Sequence, residues 1–189
     1  MTEGGRGPTT PAPSGIVQML RSVRQIRQYA PDPVPAEIVE QILDVARWTG
    51  SAVNSQPWHF IVVRDRVSLV RLSALRAPIE WLATAPLGIA IVLSGASPIA
   101  EAYDEGRVTE RILTAANALG LGAGVAWFGT EEHQTAAKRI LGVPADRTAR
   151  SIVMIGRALS RRDPRPGARA RGRKARAEVV SYDRWGSRT

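Results

Sequence analysis

No cysteine occurs in the 189 residues, and that absence excludes disulfides, thiolate metal sites and cysteine nucleophiles together. Histidine is nearly as scarce. His59 and His133 are the only two, so a histidine-rich metal site or a compact histidine relay has no material. There is no G-x-S-x-G, and His133, behind Glu131 and Glu132, reads as a surface residue at a helix start. No pair of carboxylates stands out either. With no side chain marked as acid, base or nucleophile, the chemistry points to a cofactor that supplies the reactive atom. Long apolar runs are missing too. "PLGIAIVL" (86–93) is far too short to span a bilayer, and the N-terminus lacks the charged-then-apolar layout of a signal peptide. A soluble, cytoplasmic protein without membrane contact is expected.

What is present is enough apolar material for one domain. The hydrophobic fraction is 44%, and a chain of this length can bury a sizeable core. The net charge of +9 is concentrated in "RALSRRDPRPGARARGRKAR" (157–176), where nine Arg or Lys residues meet the single acid Asp163. This run has no aromatic residue to stack on bases, so a solvated connection is favoured over a nucleic-acid site. No nucleic-acid partner is expected.

Residues 1–15, "MTEGGRGPTTPAPSG", contain almost nothing to bury and read as disordered. The folded domain is then 16–189, with a basic connection over 160–176 and a strand-like C-terminal segment over 177–185. "IVQML" starts a short helix. "YAPDPVP" (29–35) is a proline-punctuated connection, and a helix follows from Pro35 to about Trp48–Gly50 with Ile38, Ile42, Leu43 and Val45–Ala46 as its apolar stripe. Buried strands are expected at "HFIVVRD", "PLGIAIVL", "GVAWF" and "SIVMIG". A helix over Arg107–Leu119 closes on Gly120 in the left-handed conformation, and another spans Glu131–Leu141. Alternating strands and helices imply an α/β (α+β) fold with a mixed central sheet flanked by helices. "EVVSYDRW" (178–185) lies beyond the basic connection and needs another sheet edge, for which a second copy of the chain is the nearest candidate.

Three stretches could carry function. In "RSVRQIRQY" the arginines at 21, 24 and 27 would line one face of a helix, where a shared anion relieves their repulsion; a solvated basic face fits the spacing equally well. "SAVNSQPW" (51–58) places Ser51, Asn54 and Gln56 before a strand. Amides that both donate and accept suit the edge of a heteroaromatic ring, while a self-satisfied turn in front of a core tryptophan is the plainer reading. "ALGLGAGVAWFG" runs from a helix through glycines into a strand, an order unlike the Rossmann fingerprint; packing glycines explain it as readily as a ligand does.

Taken in order, the Arg-rich start with "PDPVP", the turn "SAVNSQPWHFIVV", the "ALGLG" helix end and the closing "GRKARAEVV…RW" resemble the nitroreductase family of FMN-dependent oxidoreductases, over about residues 16–185. The resemblance implies an intertwined homodimer whose C-terminal segment embraces the partner, with FMN at the subunit interface. It implies that hydride passes from NADPH or NADH to flavin N5 and on to an electron-poor small molecule, nitroaromatic or quinone, in ping-pong fashion. Counting back from "PVP" places the basic motif at Arg24, Gln25 and Arg27, with Val23 and Gln25 where the family often has arginine and serine; "RSVR" (21–24) is the alternative register. Arg27 is expected beside the pyrimidine edge of the ring, as a fixed charge. Ser51 and Asn54 would reach the flavin from the partner subunit, behind Gly50 in place of the usual proline. Val125, Ala126 and Trp127 would pass along the ring with backbone N–H groups near N5 and O4. Arg173 would return to the phosphate, with Ala175 where proline is usual. About a dozen residues between "AIVL" and the next helix leave room for only a small substrate cover, so broad acceptor tolerance is expected. A flavin-binding carrier or sensor with little turnover is the alternative.

Overall fold

A four-stranded antiparallel sheet forms where the sequence has its four apolar runs. The structure, a computed structural model, describes residues 14–160 and 173–187. Of the N-terminal stretch read as disordered only Ser14 and Gly15 fall within it, and residues 161–172 of the basic connection lie outside it. The strands are β1 (Trp58–Val63), β2 (Leu87–Leu93), β3 (Gly122–Trp127) and β4 (Thr148–Gly156), in the order β1-β2-β4-β3. A parallel bridge from Gln25 to Ala123 lengthens the sheet beside β3, and among the described residues β1 is the other edge strand.

Helices cover both faces, so the central strands are apolar without interruption although every strand pair is antiparallel. Alternation then assigns each residue to a face. Ile89, Ile91, Val153 and Ile155 pack with Val39, Ile42 and Ala46 of α2 (Ala36–Arg47) and with Val108, Ile112 and Ala116 of α4 (Pro98–Ala118). Ala90, Ile152 and Met154 pack on the other side with Leu69 and Leu72 of α3 (Arg66–Ser73), Ile79 and Leu82 of the 3₁₀ segment Ala77–Thr84, and Ala137 of α5 (Glu131–Leu141). Each fully buried Leu or Ile contributes about 1.5–3 kcal/mol.

α1 (Gly15–Ser22) starts on Ser14, whose hydroxyl accepts from the Val17 N–H. It stops before Val23, so the three arginines do not share a helix face as their spacing predicts. The chain leaves the helix because the Ile26 N–H donates to the Ala123 carbonyl at 2.9 Å, which draws this segment out along β3.

α4 begins nine residues earlier than its apolar stripe predicts. Its first half buries acids instead: Glu101, Asp104 and Glu105 face inward while Ile99 and Tyr103 are exposed. Each buried carboxylate is satisfied. Glu101 accepts from the Ser94 hydroxyl and the N–H groups of Gly95 and Ala96, and Glu105 from Arg150 and Ser151. Only residues 94–97 separate β2 from α4, a connection shorter than the expected dozen. Gly120 does end this helix at φ 78°, as expected. The strand-like reading of "EVVSYDRW" is not borne out. The chain forms a short helix α6 (Arg176–Val179) and then bends, because among the described residues no strand lies beside it. No described helix is long and apolar enough to cross a membrane.

Tyr29 fastens the Arg24–Tyr29 segment to the sheet. Its buried hydroxyl lies 2.8 Å from the Ile26 carbonyl oxygen and 3.2 Å from that of Met154. Burial pushes its pKa far above the ordinary tyrosine range, although the neighbouring Arg27 charge lowers it. The folded protein therefore holds a proton that the unfolded chain releases above about pH 10. This contribution to stability is intact below that pH and declines as pH rises. Tyr29→Phe is expected to cost about 1–2 kcal/mol near neutrality and to remove this part of the alkaline decline. Urea unfolding of both proteins at pH 8 and pH 10.5 reads the difference; equal slopes would refute the assignment.

Candidate functional site

Two guanidinium groups far apart in sequence meet at one hollow. A cavity of about 520 Å³ is bordered by Arg21 and Arg24 at the end of α1, Gln25 beyond it, Glu110 on α4 and Arg173 from the C-terminal segment. Arg24 donates to the carbonyls of Arg21 at 2.6 Å and Val23 at 2.8 Å, which are freed where the helix stops. Three positive groups against one carboxylate leave an excess of positive charge, and like charges gathered in this way suit a phosphate. Of the residues expected at the cofactor, Arg24, Gln25 and Arg173 border this cavity and Arg27 does not. Arg21 belongs with them, so both registers contribute.

Gln25 also lines this hollow. Its amide donates to the Val125 carbonyl at 2.6 Å and accepts the Val125 N–H at 3.1 Å, across one hundred residues of sequence. A serine could not make this double link. It occupies the Val125 N–H that was expected to face a ring. Because N–H directions alternate along a strand, the Ala126 N–H points towards β4 and the Trp127 N–H towards the open side. Of the three, only the Trp127 N–H lies outside both the ladder and the Gln25 link among the described residues.

Arg27 is not at the cavity. It is half-buried with its guanidinium 5.7 Å from the centroid of Trp81, which stacks on Tyr29. Trp127 is 57% exposed and carries the Arg76 guanidinium over its ring at 5.4 Å.

Ser51 and Asn54 stand on a different part of the surface. Val53, Asn54 and Gln56 have φ of 46°, 56° and 46°, unusual for any residue with a side chain and costly for a branched one. The Gln56 N–H donates to the Ser51 hydroxyl at 2.8 Å, so the turn is partly self-satisfied. The Asn54 amide makes no hydrogen bond within the described residues and Val53 is 99% exposed. Trp58 is half-buried and stacks on Phe60. Residues 55–59 border a second cavity, of about 670 Å³, opposite Glu101 and Asp104. Within one chain the turn and the arginine cavity therefore do not share a wall. Tyr103 lies on the exposed side of α4 with Arg107, and Glu110 borders the arginine cavity.

The sequence reading missed Asp104, whose carboxylate accepts the Ala52 N–H at 3.3 Å. A carboxylate spaced four residues before Val108, in line with the apolar stripe, was its available signal.

The nitroreductase family profile matches residues 20–86. A relative from Archaeoglobus fulgidus, provisionally named NADH dehydrogenase/NAD(P)H nitroreductase, is 35% identical over 150 residues, covering 74% of this chain and 83% of its own. The chloronitrobenzene nitroreductase of Comamonas testosteroni is 38% identical over a shorter match, 40% of this chain and 34% of its own. Among solved structures, an FMN-dependent nitroreductase from Clostridium difficile superposes with a TM-score of 0.77 at 23% identity, over 88% of this chain and 98% of that one. A provisionally named nitroreductase from Desulfovibrio desulfuricans, solved with FMN, gives 0.74 at 24% identity, over 89% and 96%. These two show a common fold. Together with the Archaeoglobus relative, the antiparallel sheet between helical layers identifies the chain as a member of the nitroreductase family of oxidoreductases.

Proposed function

We propose that the chain is an FMN-dependent oxidoreductase that acts as a homodimer and takes NADPH or NADH as its electron donor. The observation that carries this reading is the gathering of Arg21, Arg24 and Arg173 around one cavity. Arginine keeps its proton at any working pH, so these groups act as fixed charges for a phosphate. Bound FMN would supply two-electron chemistry, accepting hydride from the nicotinamide and passing it to a nitroaromatic, quinone or similar acceptor. The residues of this chain hold it in place. Arg24 and Arg173 would take the phosphate end, the Gln25–Val125 link would support the wall beside it, and the Trp127 N–H would be available to a polar edge of the ring.

The dimer is inferred from surfaces left uncovered. Trp48, Val53, Ile99 and Tyr103 are 68%, 99%, 77% and 76% exposed, apolar surface that a partner subunit would cover. Among the described residues nothing pairs with the outer edge of β1, and Trp185 in the C-terminal segment is fully exposed. A partner whose segment crosses that edge would bury both, and Ser51 and Asn54 would then face the flavin held by the other subunit. The folded unit on this reading is a single domain over 16–189.

The purified protein is expected to be yellow and to bleach within seconds when NADPH or NADH is added without oxygen. With the 94–97 connection too short to form a cover, several nitroaromatics and quinones should then restore the colour at comparable rates, with parallel double-reciprocal plots. Colourless protein that refuses added FMN would overturn the reading. Flavin that binds but stays oxidised for minutes would mark a carrier instead.

A further inference from the structure

We propose that Asp104, acting with Arg107, is a positioning residue that holds the Ser51–Gln56 turn in the shape its flavin contact requires. The inference rests on the functional reading above and extends it to residues outside the cavity.

Three left-handed residues with side chains do not stay in that conformation unaided, since each costs about 1–2 kcal/mol. The turn has little packing to impose it, because residues 52–56 are exposed. Its internal bonds are the Asn54 N–H to the Ser51 carbonyl at 3.1 Å, the Ser55 N–H to Ala52 at 3.0 Å and the Gln56 N–H to the Ser51 hydroxyl. Among the described residues, its one hydrogen bond to another element runs from the Ala52 N–H to Asp104 Oδ2. The Asp104 side chain is only 4% exposed, and a buried carboxylate must be compensated or it drives local rearrangement. Its partners are that N–H and the Arg107 guanidinium, 3.4 Å from Oδ1.

Arg107 lies against the same, N-terminal end of the turn. A Cβ on Gly50 would lie 2.8 Å from Arg107 Nη2, so the guanidinium lies directly over the residue that precedes Ser51. Asp104 and Arg107 are one turn apart on α4, and Glu110, a turn further, borders the arginine cavity. One rigid helix thus sets both the turn and a wall of the phosphate hollow. Ser51 and Asn54 touch the ligand on this reading; Asp104 acts through them.

The test measures the FMN dissociation constant of purified holoprotein, from the fluorescence of released flavin on dilution, for wild type, D104A, D104N, N54A and D104A/N54A. Melting of the apoprotein is followed in parallel. D104A is expected to weaken FMN binding by about tenfold. D104N keeps an oxygen for the Ala52 N–H and should stay within about threefold of wild type. Adding N54A to D104A should change little further, because Asn54 is already displaced. Loss of apoprotein stability with FMN affinity unchanged, no rescue by D104N, or full additivity with N54A would each overturn the proposal. If D104A does not fold, R107A takes its place, with weakened binding and non-additivity with N54A expected; unchanged affinity overturns the proposal equally. Failure of the wild type to bind FMN, or full affinity in R24A/R173A, would overturn the functional reading instead.

Discussion

R24A/R173A is expected to bind FMN about a thousandfold more weakly than the wild type. Each guanidinium offers a charge-assisted hydrogen bond to phosphate, worth about 1.5–3 kcal/mol when the geometry is good, and about 1.4 kcal/mol is a factor of ten. The two groups come from opposite ends of the chain and share one cavity with Arg21 and Glu110, so neither replaces the other. Arg24 also caps the carbonyls of Arg21 and Val23, and its loss costs helix stability as well. Melting of the apoprotein separates that structural cost from the binding one. R157A serves as a charge control. Its partner is Asp32, away from the cavity, and both side chains are exposed, so FMN affinity should stay within about twofold. Raising salt should weaken the wild type more than the double variant. If R157A weakens binding as much as R24A does, general positive charge and not this cavity holds the phosphate.

G124A is expected to be strongly destabilising. A Cβ on Gly124 would overlap the backbone carbonyl oxygen of Ile26 and lie 3.0 Å from the Tyr29 hydroxyl. Backbone cannot swing aside as a side chain can, so the Gln25–Tyr29 segment must lift from β3. With it go the Ile26–Ala123 bond and the double link from Gln25 to Val125. Overpacking and lost hydrogen bonds together predict a cost of about 3–5 kcal/mol. The melting temperature should then fall by roughly 6–20 °C, and FMN affinity with it. G120A provides the contrast. Gly120 has φ 78° but nothing near its missing Cβ, so its methyl meets only backbone strain of about 1 kcal/mol and FMN binding should be unaffected. Comparable losses in the two variants would show that conformation, not close approach, explains the glycines of "GLGAG".

How far the sequence can be read follows from these residues. The strands and the C-terminal end of α4 were legible because burial repeats along the chain with a fixed period and because Gly120 acts on its own neighbours. The first half of α4 was not legible. Its inward positions carry Glu101, Asp104 and Glu105, and nothing local says that Ser94, Ala52 and Arg150 will be there to receive them. The arginine spacing misled for a similar reason. A bond from Ile26 to Ala123 overrides the helical preference of the segment between them. Gln25 looked like a departure from a phosphate motif, yet it is the residue that ties the motif to the sheet.

The sequence by itself determined the layering of the fold, the exclusion of thiol chemistry, and the family to which the chain belongs, because periodicity, composition and ordered motifs are properties of the chain as written. Only the tertiary structure decided that Arg24 and Arg173 face one hollow, that Arg27 rests on Trp81 instead, and that Asp104 reaches the turn. Those are distances between residues remote in sequence, and they depend on where the sheet and α4 carry the chain.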